Sequence, residues 1–184
     1  MRVLAISGSL RSGSSNTALL GAARRLAPAG MEIALYEGPG DLPHFNPDLD
    51  DLDRGIAPPP VLDFRARLQA SDGVLISSPE YAHGIPGVMK NALDWLVGSG
   101  DLTGKPVAVL NASPRAVHAQ AALLEVLRTI GANIIDEASL TFPLLGKKLD
   151  EAGIAADPEL SKLLNQSLSA FARAIAAPHE GAAP

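Results

Sequence analysis

The residues best suited to binding a ligand form one short polar stretch near the start of the chain, GSLRSGSSN, residues 8–16. It follows the apolar run VLAIS directly and precedes TALLGAARRLA, which has the spacing of a helix. Its hydroxyl and amide side chains stand beside the free backbone N–H groups of a helix start, and Arg11 adds positive charge. The donor-bearing residues are Ser9, Ser12, Ser14, Ser15, Asn16 and Thr17. Such a ring of donors suits a phosphate group.

Two familiar phosphate-binding motifs do not fit this stretch. It lacks the GK[ST] ending that places a lysine on a γ-phosphate, and it lacks the GxGxxG spacing. A hydroxyl-lined loop with little charge better suits one terminal phosphate held beside a hydrophobic ring system. The alternative is that Ser15 or Asn16 only caps the helix, with the other serines facing solvent.

A second polar stretch follows a later apolar run. After GVLIS comes SPEYAHGIPGVMKNALDWL, in which Pro79, Pro86 and two glycines fix an irregular backbone before a helix. A rigid loop with exposed amides and a tyrosine can border a flat aromatic ligand. Glu80 has three open roles: binding substrate, satisfying loop amides, or pairing with an arginine across an interface. For Trp95 we favour core or interface packing.

Both stretches lie between segments that alternate in type. Apolar runs of strand length, without polar alternation, occur at residues 3–6, 31–36, 73–76, 106–110 and 132–135. Helical spacing occurs at residues 17–26, 60–69, 86–97, 119–130 and 158–175. This alternation predicts a doubly wound α/β domain with a five-stranded parallel sheet and helices on both faces. Ligands bind such sheets beyond the carboxyl ends of the strands, where both polar stretches begin.

Length, composition and charge limit the classes of protein. The 184 residues, 47% of them hydrophobic, suit a single domain, which we expect over residues 1–177 with a disordered tail at residues 178–184. A formal net charge of −5 leaves no broad basic surface for nucleic acid or anionic lipid. The chain has no cysteine and no apolar run of membrane-spanning length. We therefore expect a cytoplasmic protein without nucleic-acid or membrane partners.

Metal and hydrolase chemistry are not indicated. The histidines, His44, His83, His118 and His179, lie on separate loops or the tail, without an i, i+4 pair. The acidic run DLDDLD, residues 48–53, lacks the central glycine and final glutamate of a calcium loop, so we expect a solvated acidic loop. No GxSxG motif occurs. We predict no metal site.

Together the two polar stretches resemble a known family. GSLRSGSSNTALL resembles the phosphate loop, and PEYAHGIPGVMKNALDWL the second flavin loop, of the NAD(P)H-dependent FMN reductases, which include bacterial quinone and chromate reductases and related azoreductases. Each motif follows the expected strand, and the alternation spans residues 2–175. The resemblance implies a flavodoxin-like fold with strand order 2-1-3-4-5, bound FMN, and a homodimer or homotetramer.

The resemblance also implies cofactor-binding residues by position. The FMN phosphate would lie against Ser9, Arg11, Ser15, Asn16 and Thr17. The isoalloxazine ring would be lined by Pro79, Glu80, Tyr81, Ala82, His83 and Gly84.

The third loop, NASPRAVHAQAALLEVL, departs from the family's glycine-rich pattern. Ser113 matches best and is expected to reach the ring edge, while Pro114, Arg115 and His118 make the loop stiffer and more polar. Arg115 has two open roles: approaching the flavin or the nicotinamide cofactor's phosphates, or facing solvent beside a helix start.

We therefore hypothesise an FMN-dependent oxidoreductase. NADH or NADPH would pass a hydride to N5 of FMN, leave, and be replaced by a small-molecule acceptor such as a quinone, an azo compound, chromate or free flavin, which predicts ping-pong kinetics. The flavin N5 is the reactive centre, so no side chain is assigned as catalytic. The alternative is a flavodoxin-like electron carrier or flavin-binding sensor without nicotinamide-dependent turnover.

Overall fold

The apolar runs of the sequence form one parallel sheet. The computed structural model describes residues 1–177, and the tail predicted at residues 178–184 lies outside the described residues. The strands are β1 Arg2–Ser7, β2 Glu32–Tyr36, β3 Gly73–Ser77, β4 Pro106–Val109 and β5 Asn133–Ile134. Their spatial order is β2-β1-β3-β4-β5 and all neighbours are parallel, which confirms the predicted fold class and its flavodoxin-like strand order.

Helices cover both faces of the sheet. They are α1 Ser15–Arg25, α2 Pro59–Gln69, α3 Gly87–Asp94, α4 Val117–Thr129, α5 Glu151–Ala156 and α6 Pro158–Ala176. Helix α5 was not predicted, because its six residues are too few to show helical spacing. Helix α3 ends at Asp94 instead of residue 97, and Arg65 Nη2 donates a hydrogen bond to the carbonyl oxygen of Trp95 at that end. None of the helices in this described part of the chain could span a membrane.

Successive side chains of each strand enter two different cores. In β1, Val3 and Ala5 pack with α1 and α6, whereas Leu4 and Ile6 pack with α2 and α3. All five residues of β3 are buried, as expected for a strand covered on both faces. This double burial explains why the strand sequences lack polar alternation.

The long connection between β2 and α2 is anchored to the second core. Trp95 is fully buried, which confirms the packing interpretation, and its indole N–H donates to the carbonyl oxygen of Pro43 over 2.8 Å. Asp50 accepts two hydrogen bonds from the Arg65 guanidinium, at 2.8 and 2.7 Å, and both side chains are 8% exposed. The expectation that residues 48–53 form a solvated acidic loop is therefore wrong at Asp50, because a partner 15 residues away supplies its counter-charge.

Candidate functional site

A groove opens at the carboxyl ends of β1, β3 and β4. Ser7 and Ser77 are register partners at the ends of the first two of these strands, and Ile76 pairs with Val109 at the end of β4. The groove has a volume of about 1030 Å³. Its walls come from four segments, namely residues 11–18, 78–80, 111–116 and 144–151, with Leu35 of β2. Parallel strands deliver their following loops to the same edge of a sheet, so the groove lies where ligands bind this fold.

The first loop ends in a capped helix start. The cap is Ser14, whose Oγ accepts a hydrogen bond from the Thr17 N–H over 3.3 Å, so neither Ser15 nor Asn16 has the capping role considered above. The Thr17 hydroxyl lies 2.8 Å from the Ser7 hydroxyl. Within residues 1–177 the N–H groups of Ser15 and Asn16 have no acceptor, as the first positions of a helix require. Both residues line the groove and offer these donors to an anion.

Asn16 is held by a residue far away in sequence. The buried Ser77 hydroxyl lies 2.9 Å from Asn16 Oδ1 and 2.7 Å from the Leu110 carbonyl oxygen, and its single proton is shared between these two acceptors. With its oxygen occupied, Asn16 keeps its NH₂ group as a donor beside the helix start. Ser77 thereby fixes the orientation of a side chain that lines the groove.

Gly8 allows the first and second loops to touch. Its N–H donates to the Ser77 carbonyl oxygen over 2.8 Å. A Cβ at Gly8 would lie 2.2 Å from Ser78 Oγ, 2.8 Å from Ser78 Cβ and 3.1 Å from Ser78 Cα. The backbone atom cannot rotate away, so this position requires glycine for close approach.

The second loop contains a tight hairpin with unusual backbone angles. Tyr81 and Gly84 exchange backbone hydrogen bonds of 3.2 and 3.0 Å. Between them, Ala82 and His83 have φ values of 49° and 59°, a conformation that side-chain-bearing residues seldom adopt. Each such residue costs on the order of 1 kcal/mol or more, so surrounding contacts must hold the hairpin in this form.

Glu80 supplies one of those contacts. Its Oε2 accepts a hydrogen bond from the Ala119 N–H over 2.9 Å, in the first turn of α4. The residue at the N-cap of α4 is Ala116, which has no side-chain acceptor. Glu80 therefore performs the capping that α4 lacks and ties the second loop to the third. Of its three open roles, the structure supports the satisfaction of backbone amides, although the amide belongs to α4.

The third loop is ordered by two side-chain to backbone hydrogen bonds. Asn111 Oδ1 accepts from the Ser113 N–H over 3.1 Å, and Ser113 Oγ accepts from the Arg115 N–H over 3.2 Å. Asn111 is buried and Ser113 is partly buried, while Arg115 is exposed at the groove. These turns hold residues 111–116, which include no glycine, by local hydrogen bonds.

His118 of α4 contacts the hairpin of the second loop. The imidazole rings of His83 and His118 stack with centroids 4.3 Å apart and an interplanar angle of 25°. Among residues 1–177 no group of three metal-ligating side chains includes them. Like Glu80, the stacked pair connects the second loop to the first turn of α4.

The groove brings together some of the residues assigned by resemblance and not others. Those that line it are Arg11, Ser15, Asn16, Thr17, Pro79, Glu80 and Ser113. Those outside its lining are Ser9, Tyr81, Ala82, His83 and Gly84. Ser9 accepts a hydrogen bond at Oγ from the Arg11 N–H over 3.3 Å, which shapes the loop. The other four form the hairpin, whose tyrosine is 57% exposed.

Sequence reasoning missed the fourth wall, residues 144–151. This segment follows β5 and carries two consecutive lysines, Lys147 and Lys148. The rule that functional loops follow strands could have indicated it, but eight residues without strand or helical spacing separate it from the predicted end of the strand at residue 135.

The donor set fits the phosphate of FMN. The first loop and the helix start that line the groove supply two free helix N–H groups, the Asn16 NH₂ group and the Arg11 guanidinium. Pro79 and Ser113, from two other loops, stand on its walls. A terminal phosphate needs the hydrogen-bond donors, and a flat ring system needs walls on which to lie.

Comparison with known proteins agrees with this arrangement. Residues 1–144 match the sequence profile of the family described as NADPH-dependent FMN reductase. An NAD(P)H-dependent FMN reductase of Pseudomonas aeruginosa is 35% identical over 176 residues, which cover 93% of each chain. A quinone reductase of Escherichia coli is 30% identical over 181 residues, which cover 95% of each chain.

A solved structure matches the whole fold. The flavoenzyme FerB, an NAD(P)H:(acceptor) oxidoreductase from Paracoccus denitrificans, superposes with a TM-score of 0.77. The two sequences are 33% identical, and the alignment covers 95% of this chain and 97% of FerB. The likeness therefore extends into the α5 and α6 region, which lies beyond the family profile.

Proposed function

Because the chain belongs to the NADPH-dependent FMN reductase family, we propose that it passes reducing equivalents from NADPH or NADH, through bound FMN, to a small-molecule acceptor such as a quinone. The cofactors of this enzyme family are FMN and NAD(P)H. When bound, FMN supplies the hydride-accepting centre, so the protein contributes binding and orientation. The observation that carries the proposal is the groove, in which the N–H and side-chain donors of the first loop meet residues of the second and third loops at one sheet edge.

The residues of the first loop would hold the cofactor's phosphate. The N–H groups of Ser15 and Asn16 have no acceptor within residues 1–177, and Arg11 supplies charge. Ser9 and Thr17 shape this loop through their hydroxyl contacts. A charge-assisted phosphate contact is roughly twice as strong as a neutral hydrogen bond, so Arg11 should matter most for retention of the cofactor.

The second and third loops would hold the ring. Pro79, Glu80 and Ser113 line the groove, and the hairpin from Tyr81 to Gly84 stands beside them. Preorganised backbone N–H groups in the second loop would stabilise negative charge on the reduced ring. Since one ring face would serve donor and acceptor in turn, we expect ping-pong kinetics, with an acceptor choice that extends to azo compounds, chromate or free flavin.

We also propose a homodimer or homotetramer of single-domain subunits over residues 1–177. Exposed apolar side chains at the β2 to α2 connection support this: Phe45, Leu49, Leu52 and Ile56 are 38–57% exposed, and neighbouring Val97 is 61% exposed. A Cβ at Gly98, next to Val97, would lie 2.9 Å from Leu52 Cδ1, so the two segments are close. Sedimentation analysis checks the assembly, and a monomer at micromolar concentration would contradict it. The lack of cysteine is compatible with the cytoplasm, which remains our proposed location.

An absorbance titration tests the proposed function directly. FMN is added to the purified protein, unbound flavin is removed, and NADPH or NADH is added without oxygen. Loss of the bound-flavin band near ~450 nm, followed by its return on addition of a quinone, supports the reductase. Bound flavin that neither nucleotide reduces, with a long-lived one-electron form during chemical reduction, would indicate a carrier or sensor. Absence of bound flavin would contradict both.

The variant Arg11→Ala tests the phosphate site within the same experiment. We expect FMN affinity to fall about tenfold or more, because one charge-assisted contact is lost. Turnover of the flavin-loaded fraction should change much less. Arg67→Ala is a suitable control, since Arg67 is exposed on α2 and pairs only with Asp63 among the described residues. Equal FMN affinity in Arg11→Ala and wild type would remove Arg11 from the site.

A further inference from the structure

The acidic residues of the groove are all engaged by other groups. Glu80 accepts from the Ala119 N–H, and Asp150 Oδ1 accepts from the Gly153 N–H at the start of α5 over 2.7 Å. Glu151 pairs with Arg24 and Arg25 of α1, at 3.5 and 2.6 Å. None of these carboxylates neutralises a basic residue of the groove lining.

The basic residues of the groove outnumber the partners available to them. Four line it: Arg11, Arg115, Lys147 and Lys148. Lys147 pairs with Asp157 over 3.4 Å. The other three have no acidic partner within residues 1–177. In a chain with a net charge of −5, three uncompensated cations at one groove indicate attraction for anionic ligands.

The lysine segment is held in place at both ends. Leu144 is buried in the first core, and a turn closes from the Lys147 N–H to the Leu144 carbonyl oxygen over 3.0 Å, with Gly146 at φ +79°. At the other end Asp150 caps α5. Helix α5 packs against α1, where a Cβ at Gly21 would clash with Glu151. The lysines therefore stand on a short anchored segment beside the helix that follows the phosphate loop.

The proposed reaction involves two phosphate-bearing ligands, FMN and NAD(P)H, and the basic residues of the groove can be divided between them. Arg11 belongs to the first loop with the helix N–H donors, which together suffice for one phosphate. Arg115 and Lys148 lie on the third and fourth walls and remain for a second anionic ligand. In the proposed reaction that ligand is the nicotinamide dinucleotide, which carries a pyrophosphate and, in NADPH, an additional 2′-phosphate. A quinone carries no phosphate.

We propose that Lys148 and Arg115 form a binding site for the phosphate groups of NAD(P)H, separate from the FMN phosphate site. This inference rests on the proposed function, because it assumes that flavin and nicotinamide cofactor share the groove. The groove volume of about 1030 Å³ accords with two ligands, since it reaches the upper end of the roughly 300–1,000 Å³ range of small-molecule sites. Lys148 would act as a point charge and Arg115 as a planar fork.

Calorimetric titration of the FMN-loaded protein with NADP⁺ and with NAD⁺ tests the site without turnover. For Lys148→Ala and Arg115→Ala we expect binding of NADP⁺ to weaken about tenfold, with FMN affinity unchanged. Lys148→Arg should retain most of the binding. Equal losses for NADP⁺ and NAD⁺ assign the pyrophosphate to the site, and a loss for NADP⁺ alone assigns the 2′-phosphate. Increasing ionic strength should weaken binding less in Lys148→Ala than in wild type.

Lys162→Ala is the matched control, because Lys162 is exposed on the outer face of α6 away from the groove and its loss removes the same charge. The inference is overturned if Lys148→Ala and Arg115→Ala bind both dinucleotides as wild type does, or if FMN affinity falls as much as NADP⁺ affinity. If either outcome occurs while NADPH still reduces the flavin of the wild-type protein, the proposed function stands and only the phosphate site is rejected. Failure of NADPH and NADH to bind or reduce the wild-type protein removes both proposals together.

Discussion

Gly8 and Glu80 show how single residues join the loops of the groove. Gly8 lets the first loop touch Ser78 of the second, and Glu80 of the second loop caps the helix that follows the third. Neither residue needs to contact the reacting atoms for its loss to disturb the site. Small substitutions at these two positions can test their structural roles separately from any contact with a ligand.

Replacement of Gly8 by alanine should destabilise the protein. The new Cβ would lie 3.1 Å from the Cα of Ser78, so one of the two loops must shift. We expect the free energy of unfolding to fall by about 1–3 kcal/mol, as for other overpacked sites, and FMN affinity to fall with it. Chemical denaturation and flavin titration measure the two effects. Gly13→Ala is the control, because its Cβ meets nothing within 4 Å; equal stability of the two variants would refute the close-approach argument.

Substitutions of Glu80 should distinguish positioning from acid–base chemistry. Glu80→Ala leaves the Ala119 N–H without its acceptor, so we expect about 1–2 kcal/mol less stability and weaker FMN binding. Glu80→Gln keeps an oxygen that can accept this hydrogen bond and should recover most of both properties. Denaturation, flavin titration and kcat of the loaded enzyme provide the readout. If Gln loses as much turnover as Ala while retaining stability and FMN, Glu80 acts through its charge or proton instead.

At the scale of elements, the β2 to α2 connection is fixed by buried polar contacts. The Arg65 guanidinium binds Asp50 twice, reaches the Trp95 carbonyl oxygen, and has Asp101 3.8 Å from its Nε. Asn91 of α3 holds the same connection by donating to the Pro43 carbonyl oxygen and accepting from the Phe45 N–H. A connection rich in proline, glycine and aspartate thus acquires a defined position from the helices beneath it.

Removal of the Asp50 charge should cost stability without affecting the groove. In Asp50→Asn the buried Arg65 keeps only the more distant Asp101, so we expect the free energy of unfolding to fall by about 3 kcal/mol. FMN affinity should stay close to that of wild type, because the connection does not line the groove. Asp51→Asn removes a similar charge from an exposed pair with Arg54 and should change stability by less than about 1 kcal/mol. Similar stability of the two variants would contradict a structural role for the buried pair.

At the scale of the whole molecule, the sheet separates two cores while bringing the functional loops to one edge. The strand register aligns the ends of β1, β3 and β4, and the side chains between them alternate into the two cores. Tyr36, at the end of β2, belongs to the second core and stacks on Phe64 with ring centroids 4.7 Å apart. Burial, reinforced by the negative charge of Asp63, raises the pKa of Tyr36 to about 12.

This raised pKa predicts alkaline destabilisation of the fold. An unfolded tyrosine ionises near pH 10, whereas Tyr36 in the folded protein keeps its proton until about pH 12. Between these values the folded state binds more protons, so stability present below pH 10 is lost as pH rises, by a total of about 2–3 kcal/mol. Unfolding free energies from pH 8 to 12 should therefore fall more steeply in wild type than in Tyr36→Phe. Parallel pH profiles for the two proteins would exclude this contribution.

The sequence by itself determined the strands, the main helices and the two loops that carry the family resemblance. Uninterrupted apolar runs and helical spacing are local signals, because a short window of sequence is enough to show which residues will be buried. The order of the strands followed from the resemblance, and the groove edge followed from the rule for parallel sheets. The sequence also indicated free N–H groups after the first loop, because a helix start has such groups wherever it lies in the fold.

Only the tertiary structure decided the partners of the polar side chains. Glu80 meets α4 39 residues away, Ser77 meets Asn16 61 residues away, and Asp50 is buried because Arg65 lies beneath it. The lysines after β5 enter the groove because α5 packs against α1. A polar residue has the same local signature whether it faces water or a buried partner, so its role depends on which distant atoms the fold places within hydrogen-bonding distance.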